Sequence, residues 1–379
     1  MYLLAPLFGY YADKWGPSKL TLMSSALFCP GYLAAAYLYK IKANYQGFAV
    51  CFAMIGAATT VLYLSTVLPC ARLYPKSTGL AISLPVTGFG VSSLWQSQVI
   101  NWFFYDSQHT LNVYRVFVWY AGLYLVTGIL SYMSSLLYNV DDIKEKSDVE
   151  DEDEGLELTQ ADRFKSFISN YETWVMLVSF ICCSGALEMY LNNMGALIDT
   201  LPNSASQLVS SHVSMFAIFS TVARLSVGVS SDLLRPYIST AIVLSAILFF
   251  TAAHHFSIAL GFYAQDNGAL FSLASGINGL FYGSIFTLYP TVIATVWGLK
   301  SFGTNWAIFV CGPAIGSLVY GMLFASVYDR HRLPNQGQCI GNKCYELTFL
   351  ITGAGILISC IAVFNLWHHV WKRNSSIKL

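Results

Sequence analysis

Ten runs of about twenty or more mostly apolar residues dominate the sequence, at approximately 18–39, 46–70, 79–104, 113–138, 173–198, 206–228, 237–258, 267–297, 303–327 and 346–371. Each is long enough, as a helix, to cross the ~30 Å hydrocarbon core of a bilayer. Composition agrees: 55% of the 379 residues are hydrophobic and 11% are charged, against about 25% charged in soluble domains. The expectation is an all-α, polytopic membrane protein whose first partner is the lipid bilayer. Pro30, Pro69, Pro85, Pro290 and Pro313 are expected to kink these helices rather than break them, because neighbouring helices and hydroxyl side chains re-satisfy the freed backbone groups.

Net charge is formally zero, with no basic surplus to suggest nucleic acid. The zero hides an asymmetry, since eleven of the twenty acids lie between Asp141 and Asp162. Asp141 to Lys165 therefore reads as a disordered, solvated linker. It divides the chain into a leading bundle (1–138), an acidic linker (139–171) and a trailing six-helix bundle (172–379).

The internal repeat is more informative. Gly9 to Asp13 and Gly228 to Asp232 share a Gly-x-x-x-Asp spacing in turns that follow apolar runs. Two spans lie between the linker and Gly228, and four lie after Asp232. Four spans also follow Asp13, but only MYLLAPLF precedes Gly9. With Ala12 as its limit that opening reaches about 18 Å as a helix. By the repeat, about one and a half helices of a twelve-helix design are expected to precede Met1; the other reading is an eleven-segment protein with a re-entrant start.

Two six-helix halves, a charged linker and paired Gly-x-x-x-Asp turns resemble the major facilitator superfamily of secondary transporters. In its loop motif, roughly G-x-x-x-D-(R/K)-x-G-(R/K)-(R/K), Gly9, Asp13, Lys14 and Gly16 match. Pro17 and Ser18 replace the basic pair and Lys19 restores one charge, while Arg224, Gly228 and Asp232 give a partial second copy. Four stretches, MYLLAPLFGYYADKWGP, ARLYPKSTGLAISLPVTGFGVSSLW, GALEMYLNNMG and GLFYGSIFTLYPTVIATVWGLKSFGTNW, are similar to the fungal Mch-type branch, homologues of monocarboxylate permeases. That resemblance implies a multi-pass protein of the vacuolar membrane, whose substrate the family name does not settle. The expected function is secondary transport by a monomer of a small solute, such as a monocarboxylate-like anion, by alternating access, with proton coupling an open option. A transporter-like sensor or membrane scaffold that moves nothing is the alternative.

An ionisable residue at bilayer depth is a functional candidate by default. Glu188 is the one carboxylate well inside a predicted span, about 15 Å from its later end. Asn192 follows at i+4 on the same face, with Tyr190 and Asn193 beside it. This set can bind a polar solute or carry a proton; equally, a protonated Glu188 can hold helices together. Gln96, Gln98, Asn278 and Tyr282 are further pore-lining candidates. Gly276, Gly279 and Gly283 read first as points of close helix contact.

Arg224 is expected near a span end, paired with Asp232, and Asp13 is expected with Lys14 and Lys19, both sets acting as conformational latches. Plain loop solvation with helix capping by the two aspartates is the other account. His212, His254, His255, His368 and His369 fall at predicted helix ends and read as interfacial, although His254 and His255 could titrate beside an acidic lumen. No phosphate loop, H-E-x-x-H or G-x-S-x-G sequence is present, so neither an enzyme nor a cofactor or metal is expected.

Most of the nine cysteines sit in apolar runs, but Cys339 and Cys344 lie in the polar stretch NQGQCIGNKCYE. They form a disulfide if that loop faces an oxidising compartment, and are otherwise free thiols. Short-loop basic residues number nine against six in favour of a cytosolic linker and carboxyl terminus. The sequon Asn374-Ser375-Ser376 would then stay unmodified in the cytosol.

Overall fold

The computed structural model describes residues 2–105, 111–138, 159–201, 209–264, 269–332 and 338–373. Residues 139–158 of the acidic segment and the 374–376 sequon lie outside these. Among the described residues the chain is helical, with no strand beyond one isolated bridge, Tyr105 to Leu111.

The helices are α1 (Ala5–Trp15), α2 (Ser18–Lys40), α3 (Tyr45–Leu73), α4 (Thr78–Phe103), α5 (Val113–Leu137), α6 (Gln160–Ser169), α7 (Tyr171–Asn192), α8 (Met194–Asp199), α9 (Val209–Leu234), α10 (Thr240–Ala259), α11 (Ala269–Trp297), α12 (Phe302–Val310), α13 (Gly312–Arg330) and α14 (Glu346–His369). Nine spans among the described residues are long and apolar enough to cross a membrane. The remaining predicted run, 79–104, forms α4.

Side-chain caps set several starts: Asn44 accepts from the Tyr45 amide, Asn112 from Arg115, Asn170 from Glu172 and Ser239 from Ala241. Pro30, Pro69, Pro85 and Pro290 lie inside helices as expected. Pro313 does not. It stands in the first turn of α13, after the chain breaks at Cys311, where its missing N–H leaves no helical bond unmade. Likewise the run 173–198 is two helices, with Asn193 between them donating its side-chain amide to the Met189 carbonyl at 2.9 Å.

The end of the acidic segment also departs from expectation. From Gln160 onward it is helix α6 rather than solvated coil, because Thr159 caps the start: its hydroxyl donates to Asp162 at 2.6 Å and accepts from the Asp162 amide at 3.2 Å. Phe167 anchors that helix among Trp297 and Phe309.

The chain forms two compact units. The first contains residues 1–76, 91–167 and 297–310; the second contains 77–90, 168–296 and 311–379. In the first unit α2 packs along α3 and α5. A Cβ on Gly128 would collide with the Ser25 hydroxyl, so that contact needs a glycine. An aromatic ladder lines the same seam, with Phe28 and Tyr124 stacked at 4.1 Å and Tyr32 and Tyr120 at 5.1 Å. In the second unit α7 meets α13 where Gly185 faces Gly316, and α11 meets the backbone of α9 at Gly279 and Gly283. The close contact expected of this glycine run is formed.

Candidate functional site

Backbone proximity places the side chains of the second unit. With only hydrogen on Gly283, α11 lies against the Ser220 carbonyl of α9, which sets Tyr282 beside Arg224, one turn beyond Ser220. The Arg224 guanidinium carbon stands 5.6 Å from the centre of the Tyr282 ring, a cation–π contact, and Arg224 Nη1 donates to the Val86 carbonyl of α4 at 2.6 Å. From the same ring the Tyr282 hydroxyl donates to Glu188 Oε1 at 2.8 Å. A cation, a phenol and a carboxylate thus stand in series on α9, α11 and α7. Phe216 and Phe286 pack on the Tyr282 ring at 5.2 and 4.5 Å.

Two expectations about these residues need correcting. Arg224 does not sit near a span end or pair with Asp232. α9 continues to Leu234, so Arg224 is ten residues inside it, buried at 5% exposure. Nor is Glu188 at the centre of an unbroken helix; it lies one turn before the break at Asn193.

The other candidates divide. Tyr190 faces away from Glu188 and bonds Ser275 at 2.8 Å, and Ser275 in turn meets His212 Nδ1 at 3.0 Å. Asn278 is fully buried against His254 at 3.0 Å. Asn192 is exposed, Asn193 caps its own helix break, and Gln98 is exposed. Gln96 belongs to the first unit, where it hydrogen-bonds Tyr124. Of the predicted polar set, only Glu188 and Tyr282 are brought together.

The two aspartates of the repeated motif are helix caps. In the first unit Asp13 accepts from the Gly303 amide at 3.2 Å, the Thr304 amide at 2.6 Å and the Thr304 hydroxyl at 2.7 Å, all in the first turn of α12. In the second unit Asp232 accepts from the Gly79 amide at 2.9 Å and the Leu80 amide at 2.7 Å, in the first turn of α4. The positive end of each helix thereby receives a carboxylate. The expected partners of Asp13 are not used: Lys19 is exposed and Lys14 lies over the Trp15 ring at 5.3 Å. Arg72 of α3 instead pairs with Asp13 at 2.7 Å, both side chains being buried. Gly9 matters because a Cβ there would strike the Gly303 carbonyl, and a Cβ on Gly228 would strike the Ser83 hydroxyl. Sequence reasoning missed Arg72 and the capped turns, yet a signal was present: Lys76-Ser77-Thr78-Gly79 and Lys300-Ser301-Phe302-Gly303 share K-S-x-G.

His254 and His255 lie within the last two turns of α10, near a helix end as expected, but face the protein interior, and His212 is buried as well. Cys339 and Cys344 form a disulfide, and the loop between them is tied down by the Gly341 amide donating to the Thr200 carbonyl at 2.8 Å.

The model of the Major Facilitator Superfamily matches residues 1–254. The chain belongs to that superfamily. A second family model, described as NFD4, C-terminal domain, matches residues 161–375. Among its relatives, the protein named "Probable transporter MCH1" of Yarrowia lipolytica is 35% identical, the match covering 98% of this chain and 83% of that protein. The protein of that name from Candida albicans is 34% identical, covering 98% and 81%. Among solved structures, the E. coli fucose:proton symporter FucP aligns over 95% of this chain and 87% of its own at a TM-score of 0.65 and 13% identity. The proton:xylose symporter XylE aligns over 97% and 82% at 0.66 and 14%. These neighbours establish the fold, and the family and its relatives make the chain a membrane transporter rather than an enzyme.

Proposed function

We propose that the chain is a secondary active transporter that carries a small anionic solute, of the monocarboxylate class, across the vacuolar membrane by alternating access, acting as a monomer. The observation that carries this reading is the series Arg224, Tyr282 and Glu188, in which the two charged residues are buried and the tyrosine between them is half-buried. Arg224 supplies the positive charge an anion needs in a medium where charge is costly, and Tyr282 supplies a hydroxyl. An anion arriving beside an ionised Glu188 would be repelled, so its binding favours the protonated carboxyl. Anion and proton then bind with positive coupling, which is the linkage a symporter needs. The break at Asn193, one turn past Glu188, supports the same reading, since discontinuous helices in transporters border their solute sites.

In this reading the leading and trailing halves of the sequence rock about that site, with the linker and carboxyl terminus in the cytosol. Uptake of labelled monocarboxylates by isolated vacuoles from cells with and without the protein tests it. The wild type should accumulate label when the outer solution is made more acid than the lumen, so that proton and anion enter together, and should release it when the lumen is the more acid side. Glu188→Gln, which keeps the volume and the acceptor for Tyr282, should lower uptake at least tenfold. Uptake that is absent from wild type, or unchanged by Glu188→Gln, would remove the reading.

A further inference from the structure

Away from Glu188, the second unit buries two adjacent histidines on α10. His254 and His255 lie about 8 and 6 Å, by helical rise, from the last residue of that helix. Their rings are 6.4 Å apart. Three elements close around them. The turn after α10 contributes Tyr263, α11 contributes Asn278 and Phe281, and α14 contributes Phe349 and Thr352.

Hydrogen positions in this cluster can be deduced from its donors. Asn278 Nδ2 is 3.1 Å from the Ala274 carbonyl and 3.0 Å from His254 Nε2. Turning the amide over would set two acceptors against each other at Ala274, so Nδ2 faces that carbonyl. The His254 ring meets the Ala274 carbonyl as well as the amide, and its Nδ1 lies 3.0 Å from the Tyr263 hydroxyl. Burial raises the Tyr263 phenol above its ordinary value, which keeps that hydroxyl protonated.

The other end of the amide faces His255: Asn278 Oδ1 and His255 Nε2 are both buried, and the only partner available to either among the described residues is the other. His255 Nδ1 meets the Thr352 hydroxyl at 2.9 Å, and that hydroxyl also reaches the Phe349 carbonyl at 3.2 Å. While Thr352 donates to Phe349, His255 must donate from Nδ1. Lone pairs are then left on both Nε2 and Asn278 Oδ1. In the other His255 tautomer Thr352 donates to Nδ1 and the ring proton is carried on Nε2, facing Asn278 Oδ1. The two neutral tautomers exchange by uptake of a proton at one nitrogen and release from the other, and in the first of them a single added proton on Nε2 would serve two buried acceptors at once.

No Asp, Glu, Lys or Arg acts on either ring among the described residues. The titratable groups around them are Tyr263, then Tyr345 and Tyr190 across the Phe349 ring, and His212 beyond Ser275. A buried imidazolium without a counter-charge is costly, so proton uptake favours an arrangement in which water reaches the site. The near end of α10 and its Tyr263 turn form the short way in.

We propose that His254, His255 and Asn278 form a site, separate from Glu188, that binds one proton from the Tyr263 side and loosens the end of α10 from α14 when it does so. Proton binding here is measurable without transport, so the proposal does not depend on the solute reading. The test uses the full chain in lipid nanodiscs, with imidazole-nitrogen NMR and amide hydrogen exchange followed from pH 8 to pH 4.5. The exposed His368 and His369 serve as internal references in the same spectra.

His254 and His255 should change in step, taking up one proton between them over that interval. Exchange of the last turns of α10 should rise at least tenfold over the same interval. Asn278→Asp sets a carboxylate of nearly equal size beside both rings and should raise proton affinity tenfold or more. Independent titration of the two rings alongside the references would overturn the proposal, as would an Asn278→Asp protein that folds but titrates like wild type. Loss of uptake in Glu188→Gln with this titration intact would leave the site standing. The reverse pattern would remove the site and leave the solute reading.

Discussion

Asp13 and Asp232 perform the same task at equivalent points of the repeat, each setting both carboxylate oxygens on the amides of a helix's first turn. They differ in that Asp13 alone holds an ion pair among the described residues, with Arg72. Removing one member of a buried pair typically costs about 3–5 kcal/mol, because the remaining charge stays buried, while loss of a cap costs about 0.5–2 kcal/mol. Asp13→Asn should therefore lower the unfolding temperature clearly more than Asp232→Asn, measured in one detergent. Adding Arg72→Met to Asp13→Asn should recover part of the loss. Equal losses would show that Arg72 adds nothing beyond the cap.

The approach of α1 to α12 predicts a size limit at Gly9. A Cβ there has no room against the Gly303 carbonyl and the Ala307 side chain. Gly88, inside α4, has nothing within 4 Å of the same atom. Gly9→Ala should destabilise by about 1–3 kcal/mol as overpacking does, whereas Gly88→Ala should be neutral or stabilising by up to about 1 kcal/mol through helix propensity. Thermal unfolding of the two variants side by side decides it. A neutral Gly9→Ala would mean that α1 does not pack so closely.

Tyr282 makes two separable contacts, its ring with Arg224 and its hydroxyl with Glu188. Tyr282→Phe keeps the first and should cost about 1 kcal/mol, the usual worth of one hydrogen bond, or more if Glu188 is ionised. Tyr282→Leu removes both and should cost more. In a double-mutant cycle, Tyr282→Phe and Glu188→Met, each of which removes one partner of that hydrogen bond, should couple by about 0.5–3 kcal/mol. Additive effects would mean that the hydroxyl and the carboxylate do not interact in the folded protein.

The spans were legible because twenty apolar residues need no partner to be recognised. What they pack against was not. α10 and α11 are apolar on all sides, so nothing in their sequence separates a lipid-facing from a core-facing histidine. His254 and His255 were accordingly placed at an interface by position alone. Asp13 was matched to Lys14 and Lys19 because they are adjacent, whereas its partner Arg72 lies two helices away and is found only through folding. The breaks at Asn193 and Cys311 also escaped notice, since both segments remain apolar on either side of them. Glu188 and Tyr282 were each singled out as rare polar groups in apolar surroundings, which is the kind of signal one sequence does carry.

The disulfide yields a prediction about which side of the membrane its loop occupies. Cys339 and Cys344 are both fully buried, and their loop is held by Tyr328, whose hydroxyl accepts from the Cys339 amide at 3.3 Å, and by Thr200. Closing so short a loop stabilises by only about 2 kcal/mol in the chain-entropy account, so reduction should lower the unfolding temperature without unfolding the protein. With the seven other cysteines replaced, a membrane-impermeant maleimide should label neither Cys339 nor Cys344 in intact vesicles. After mild reduction both should label, and only from the face opposite the acidic linker, because a disulfide persists in an oxidising compartment and is reduced in the cytosol. Labelling before reduction would show that the pair does not form in the membrane. Labelling from the linker's side would reverse the topology, and with it the direction from which a solute meets Arg224 and Glu188.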